Sequence, residues 1–136
     1  MNVSLKFLIF LLFTSFNIFS QQFVFKTTSF LVTEKNNKGK WSEWSKPKKS
    51  EMIIKVDGEH HRIVVYSQDI QLFSIVKYNE VKKTKTDIIS SFNCVDNTGV
   101  ECVVSIFTRK NQNNRRQLYI TYDDMIIEYN IEIKSN

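Results

Sequence analysis

Alanine is absent from this chain, proline occurs once, glycine three times, and cysteine and histidine twice each. The missing alanine removes the strongest helix former. Val, Ile, Thr, Tyr and Phe are plentiful instead, and they suit a pleated, half-buried surface. Gly39, Gly58 and Gly99 all fall between apolar runs, where turns are expected. Two histidines, adjacent at His60 and His61, could draw Asp57, Glu59 or Asp69 into a metal site, but a site needs three or four converging ligands and no such spacing is present. These histidines are read as part of a solvated turn, and neither a metal nor another cofactor is expected.

The motifs of common catalytic devices are also missing. There is no G-x-S-x-G, no H-E-x-x-H and no glycine-rich phosphate loop. Paired carboxylates occur at Asp123-Asp124, side by side at a hairpin tip rather than across a cleft. An unrecognised hydrolase is therefore the third reading of function. Neither sign of charge dominates. Nineteen Lys and Arg stand against 14 Asp and Glu, a net +5 that falls far from a nucleic-acid-binding composition.

One long apolar stretch is present. Phe7–Phe13 is unbroken, weaker apolar character continues to Phe19, and Lys6 precedes it. The stretch is shorter than the roughly 17–25 residues of a membrane-spanning helix. Small Ser20 offers a cleavage point before Gln21. Residues 1–20 read as a secretory signal peptide, leaving 21–136 as one domain, secreted or periplasmic, with no transmembrane anchor after processing.

Within that domain the apolar rhythm is period two. Met125, Ile127, Tyr129, Ile131 and Ile133 share one face of a strand, and Leu118, Ile120 and Tyr122 share a face of the run before it. Asp123-Asp124 joins them as a two-residue loop, Asp being tolerant of positive φ, which sets Ile120 opposite Ile127 and Leu118 opposite Tyr129. A second hairpin joins Asp87–Val95 to Glu101–Thr108 through a type I turn with Gly99 in the left-handed position. Counting outward sets Cys94 opposite Cys102, Phe92 opposite Val104 and Ser90 opposite Ile106.

In an exported protein those two cysteines have only each other as partner, so a Cys94–Cys102 disulfide is expected, although a hydrogen-bonded pair is the less comfortable site for one; the alternative is two buried free thiols. Further strands are expected at Phe23–Thr33, Trp41–Ser45, Met52–Val56, Arg62–Ser67 and Ile70–Tyr78, with a short helix over Ile70–Val81 as an alternative to the last. The polar Asn111–Arg116 reads as a hairpin tip. About eight strands with mostly short connections predict an all-β antiparallel meander closed into a small barrel, the alternative being a two-sheet sandwich.

Gly39-Lys40-Trp41 is similar to the short G-x-W element of lipocalin-like barrels, where the Trp closes one barrel end. Here it follows an extended run, Phe23–Thr33, where a lipocalin has little ordered chain, so it is read as a turn glycine followed by a core Trp. More broadly, the order GKW–W, CVD–C and LYITYDD–IEY resembles small exported proteins of unknown function common in Bacteroidetes. That resemblance brings no activity and no functional residues.

The leading expectation is non-catalytic binding of a small apolar ligand inside the barrel. Its lining is drawn from Phe25, Leu31, Ile54, Val65, Leu72 and Phe92, continuing through Ile106, Leu118, Ile120, Ile127 and Tyr129. Trp41 and Trp44 are placed at a barrel end, where one could be exposed. The alternative is an interaction protein that presents Trp41 or Trp44 and its basic loops to an anionic surface polymer or a partner protein. Those loops are Lys46/Lys48/Lys49, Lys82/Lys83/Lys85 and Arg109/Lys110/Arg115/Arg116.

Overall fold

Alternating apolar residues that must share one dry interior leave the chain two options, stacked sheets or a closed wall, and it takes the second. A computed structural model describes residues 22–134. The expected leader, 1–20, lies outside the described residues. In chain order the strands are β1 (Gln22–Glu34), β2 (Lys48–Lys49), β3 (Ile53–Asp57), β4 (Arg62–Tyr66), β5 (Gln71–Tyr78), β6 (Lys82–Lys83), β7 (Asp87–Asp96), β8 (Glu101–Arg109), β9 (Arg115–Thr121) and β10 (Met125–Ile133). Eight of them follow one another around an up-and-down barrel, which β10 closes by pairing with β1 from Phe25↔Ile133 to Glu34↔Met125. The two-residue strands are additions, β2 on β1 and β6 on β7. Closure removes the free sheet edges that a sandwich of this length would expose.

The expected registers hold. Cys94 faces Cys102, Phe92 faces Val104 and Ser90 faces Ile106, while Ile120 faces Ile127 and Leu118 faces Tyr129. Gly99 has φ of 87°, and its N–H donates to the Asp96 carbonyl at 3.0 Å, as a three-residue loop with a left-handed glycine requires. The reason given for the other hairpin does not hold. Neither Asp123 nor Asp124 has positive φ, so its two-residue loop turns without the left-handed conformation expected of Asp. Ile70–Val81 contributes strand β5 and no helix.

Two bulges decide which side chains point inward. In β1 the pairing with β10 skips Thr28 between Thr27 and Ser29, and in β5 the pairing with β7 skips Val76 between Ile75 and Lys77. An extra residue reverses the parity of everything beyond it. Phe25 and Thr27 therefore lie on the interior side before the first bulge, and Phe30 packs on the core after it, so Leu31 faces out, paired with Glu128. Leu72 also faces out, paired with Val64, because its neighbour Phe73 takes the interior. The first correction traces to a strict count of two carried across a bulge; the second does not, since Leu72 precedes the bulge in β5 and the choice lay between two adjacent apolar residues. Bulges bend strands, and bending is what lets a short wall curve shut.

The barrel is solid through its middle. Ile54, Ile63, Val65, Phe73, Val104, Leu118 and Ile120 are each exposed by 1% or less. Thr27, fully buried at the bulge, is not an apolar error: its hydroxyl accepts from Met52 N–H at 2.8 Å and meets Ser50 Oγ at 2.8 Å. That contact joins the bulge to the start of β3.

From Trp41 to Ser50 the chain runs back along β1 as an irregular ribbon. Ser42 N–H donates to Glu34 O, Ser45 N–H to Val32 O and Ser50 N–H to Thr28 O. This replaces the expected strand Trp41–Ser45 and contains Pro47, which has no N–H to offer a ladder.

Candidate functional site

Connections alternate between the two barrel ends. At one end lie the turns after β3, β5 and β8, together with the start of β1 and the end of β10. At the other lie the loops after β1 and β4 and the turns at Gly99 and Asp123-Asp124.

The first end holds an open cavity of about 410 Å³. Its apolar wall is Phe23, Phe25, Val56, Phe92, Ile106 and Ile133. The volume lies in the lower part of the range of about 300–1,000 Å³ typical of small-molecule sites. Local sequence explains why space is left here. The inward column of β7 reads Ile88, Ser90, Phe92, Cys94, and small Ser90 stands where its neighbours are large. Gly58 adds a position without a side chain on the facing turn. Tyr78 completes the wall, braced on both sides. Its ring meets Phe92 edge-on at 5.6 Å between centroids, and its hydroxyl shares a 2.8 Å hydrogen bond with His61 Nδ1. Burial raises the Tyr78 hydroxyl pKa, so it enters this contact protonated.

Four arginines stand at this end, in different states, and Arg62 lies 3.4 Å from buried Asp57. Arg109 pairs with Asp87 at 3.1 Å and donates to Gln117 at 3.0 Å, on the outer wall. Arg115 donates to Gln112 and Asn130. Arg116 falls on the inner face, two positions before buried Leu118, is half-buried and lines the cavity. Among the described residues its guanidinium has no hydrogen-bonding or ion-pair partner.

Of the residues expected to hold a ligand, Phe92 lines this cavity, as do Phe25 and Ile106 from the wider lining. Leu118, Ile120 and Tyr129 belong to the packed core below it, as do Ile54 and Val65. Trp41 and Trp44 are elsewhere, on the ribbon along β1, 38% and 44% exposed. Trp41 is thus neither a barrel plug nor a core residue; Lys35 lies over its ring at 5.5 Å. Sequence reasoning missed Ser90 and placed Arg116 only in a basic loop, although the signal for both was present. Both fall on the apolar parity of their strands, where Arg116 had been read as part of a polar hairpin tip.

The histidine turn is built around a buried carboxylate. Asp57, 1% exposed, receives His60 Nδ1 at 2.8 Å and His60 N–H at 3.2 Å, with Arg62 Nε at 3.4 Å. Burial raises its pKa, but the two hydrogen bonds from His60 and the charges of His60 and Arg62 outweigh this and hold it below the usual 3.8. Asp57, Glu59 and His60 bring ligand atoms within 4.8 Å of one another. Asp57 is already occupied by its turn and by Arg62.

At the opposite end the expected disulfide is not formed. Cys94 and Cys102 are both free thiols, buried in the core. Asp96 N–H donates to Val100 O, so stepping two residues along each strand makes Cys94–Cys102 a hydrogen-bonded pair, the geometry that disfavours a cross-strand bridge. Burial, then the neighbouring Cys102, pushes the Cys94 thiol to about 12; burial, then Asp96, pushes Cys102 to about 11. Both are protonated and unreactive at neutral pH. Titration of the unfolded protein with a thiol reagent, without reductant, is expected to find two thiols per chain, and the native protein almost none over minutes. No thiol after unfolding would mean the bridge exists.

The resolved shifts all lead away from neutrality: Asp57 and Asp96 down, the two thiols, Arg109 and Tyr78, Tyr119, Tyr122 and Tyr129 up. None of these groups is poised as a general acid or base near pH 7. Comparison with family models, with curated proteins and with solved structures found no match.

Proposed function

We propose that the protein binds a small apolar ligand non-catalytically, in the open mouth of the barrel rather than through its centre. One observation carries this reading: an apolar cavity of about 410 Å³ on a barrel whose middle is otherwise filled. Phe23 and Ile133 are 50% and 59% exposed at its rim, surface that a ligand would cover. A neutral fluorescent naphthylamine is the test probe. It is expected to bind the wild-type protein and to bind Ser90→Phe at least tenfold more weakly, since the new ring fills the space beside Ile106 and Phe92. Circular dichroism of the variant checks that its sheet is intact. Equal binding by the two proteins would remove the mouth as the site.

In this reading residues 1–20 direct export and are cleaved, and sequencing the mature protein from its own host should begin at Gln21. Burial and protonation would keep both thiols out of exchange and oxidation in such a compartment.

A second reading rests on the ribbon. Trp41 and Trp44 are exposed alongside Lys46, Lys48 and Lys49, also exposed, on the wall away from the cavity. Such a surface suits an anionic polymer or partner protein, and its binding would weaken steeply with salt.

A further inference from the structure

We infer that the occupant of the mouth is an amphipathic anion, a hydrocarbon or aromatic body bearing one carboxylate or similar group, and that Arg116 receives its charge. This rests on the mouth being a ligand site and names the class of ligand.

Arg116 is the argument. A guanidinium on the inner face of an apolar mouth, beside Ile106 and Ile133, has lost part of its water. The other three arginines at this end have found partners within the protein. The remaining polar groups around the cavity are neutral, and two of them are committed to each other: Asn79 Nδ2 donates to Ser91 Oγ at 3.3 Å and to Asn93 Oδ1 at 3.0 Å. Of the carboxylates at this end, Asp57 is buried and held by His60 and Arg62, Asp87 pairs with Arg109, and Glu59, Glu80 and Glu132 are exposed and form no ion pair with Arg116. Nothing on the wall answers the charge of Arg116, so a ligand that brings its own anion gains a charge-assisted pair in a partly dry setting.

The rim extends the same polarity. β6 is Lys82–Lys83, both exposed, next to Val81 of the cavity wall. The loop after β8 adds Lys110, and Arg115 flanks Arg116. Two of the three basic clusters thus gather at the cavity end, where they would draw an anion toward the mouth. The cavity takes one short chain or a two-ring body, with the apolar part against Phe25, Phe92 and Ile106 and the charged group at the rim.

Decanoate and decanol separate the charge from the chain, each competing with the neutral naphthylamine probe at pH 8 and low salt. Wild-type protein is expected to prefer decanoate by about tenfold or more. Arg116→Gln should lose that preference while holding decanol as before, and its unchanged decanol affinity shows that the mouth remains folded. Arg116→Lys should recover part of it, as a charge without the planar fork. If decanol and the probe bind but decanoate binds no better, or if the preference survives in Arg116→Gln, this inference is wrong and the apolar site stands. If neither the probe nor decanol binds, the ligand-site reading itself falls.

Discussion

Replacing Phe73 by Ala is expected to destabilise the barrel by about 3–5 kcal/mol, a third or more of the roughly 5–15 kcal/mol that holds a domain of this size together. Phe73 is the largest of the side chains exposed by less than 2%. It sits at mid-barrel, paired across β4 and β7 with Ile63 and Asp96, in the same cluster as Ile54, Leu118 and Ile120. A closed wall cannot collapse easily onto the space that a lost ring leaves, so the full cavity term applies. Urea unfolding should show a midpoint lower by more than about 1 M with an unchanged slope. Leu72→Ala is the internal comparison. Leu72 lies on the outer face against Val64, and its loss should cost about 1 kcal/mol. If Leu72→Ala proved the more damaging of the two, the inward face of β5 would have been assigned backwards.

The second large effect belongs to Asp96. Its Oδ1 accepts from Thr98 N–H and Val100 N–H, both at 2.9 Å, and from the Thr98 hydroxyl at 2.7 Å. Its Oδ2 accepts from the Tyr122 hydroxyl at 2.8 Å, tying the β7–β8 turn to the end of β9. Asp96→Ala strips all four donors of their acceptor and should cost about 2–3 kcal/mol. Asp96→Asn keeps the turn's acceptor but sets an amide toward Tyr122, for an intermediate loss. The hydrogen bond from Val100 leads the causes that bring the Asp96 carboxyl to about 2, below its ordinary 3.8.

A carboxyl depressed in the folded state stabilises above its unfolded pKa and loses that contribution as pH falls through the folded one. The Asp96 contribution is therefore whole above about pH 4 and fades toward pH 2. Asp57, also depressed, fades in the same direction. The decisive quantity is the stability difference between wild type and Asp96→Asn, which should shrink as pH falls from 4 to 2. A constant difference would show that Asp96 contributes nothing through its charge.

How much of this was legible beforehand differs from strand to strand. The β7–β8 and β9–β10 pairings could be counted from short turns, because a hairpin ties register to local sequence and Gly99 marked the turn. The same counting failed at Leu31 and Leu72. A bulge at Thr28 leaves no mark in composition, and Leu72 and Phe73 are both apolar, so only packing decides which turns inward. Trp41 and Trp44 misled for a related reason. Aromatics ordinarily belong to cores, but β1 had already given its inner face to Phe25, Thr27 and Phe30, and the returning ribbon could only lie alongside. Arg116 was hidden by its neighbours: Asn113, Asn114 and Arg115 suggested a tip, while the parity of Leu118 and Ile120 placed it on the inner face.

The seam between β1 and β10 joins the two ends of the described chain, Phe25 to Ile133 and Glu34 to Met125. Every other wall pairing links neighbours in sequence, so this seam carries the largest loop-closure entropy and is the natural last step of assembly. Until it forms, the curled sheet carries two long unsatisfied margins, one rich in Phe and the other in Ile. A newly made chain that lingers there can zip to another molecule as readily as to itself, which makes dilution, rather than added stability, the main safeguard of its refolding yield.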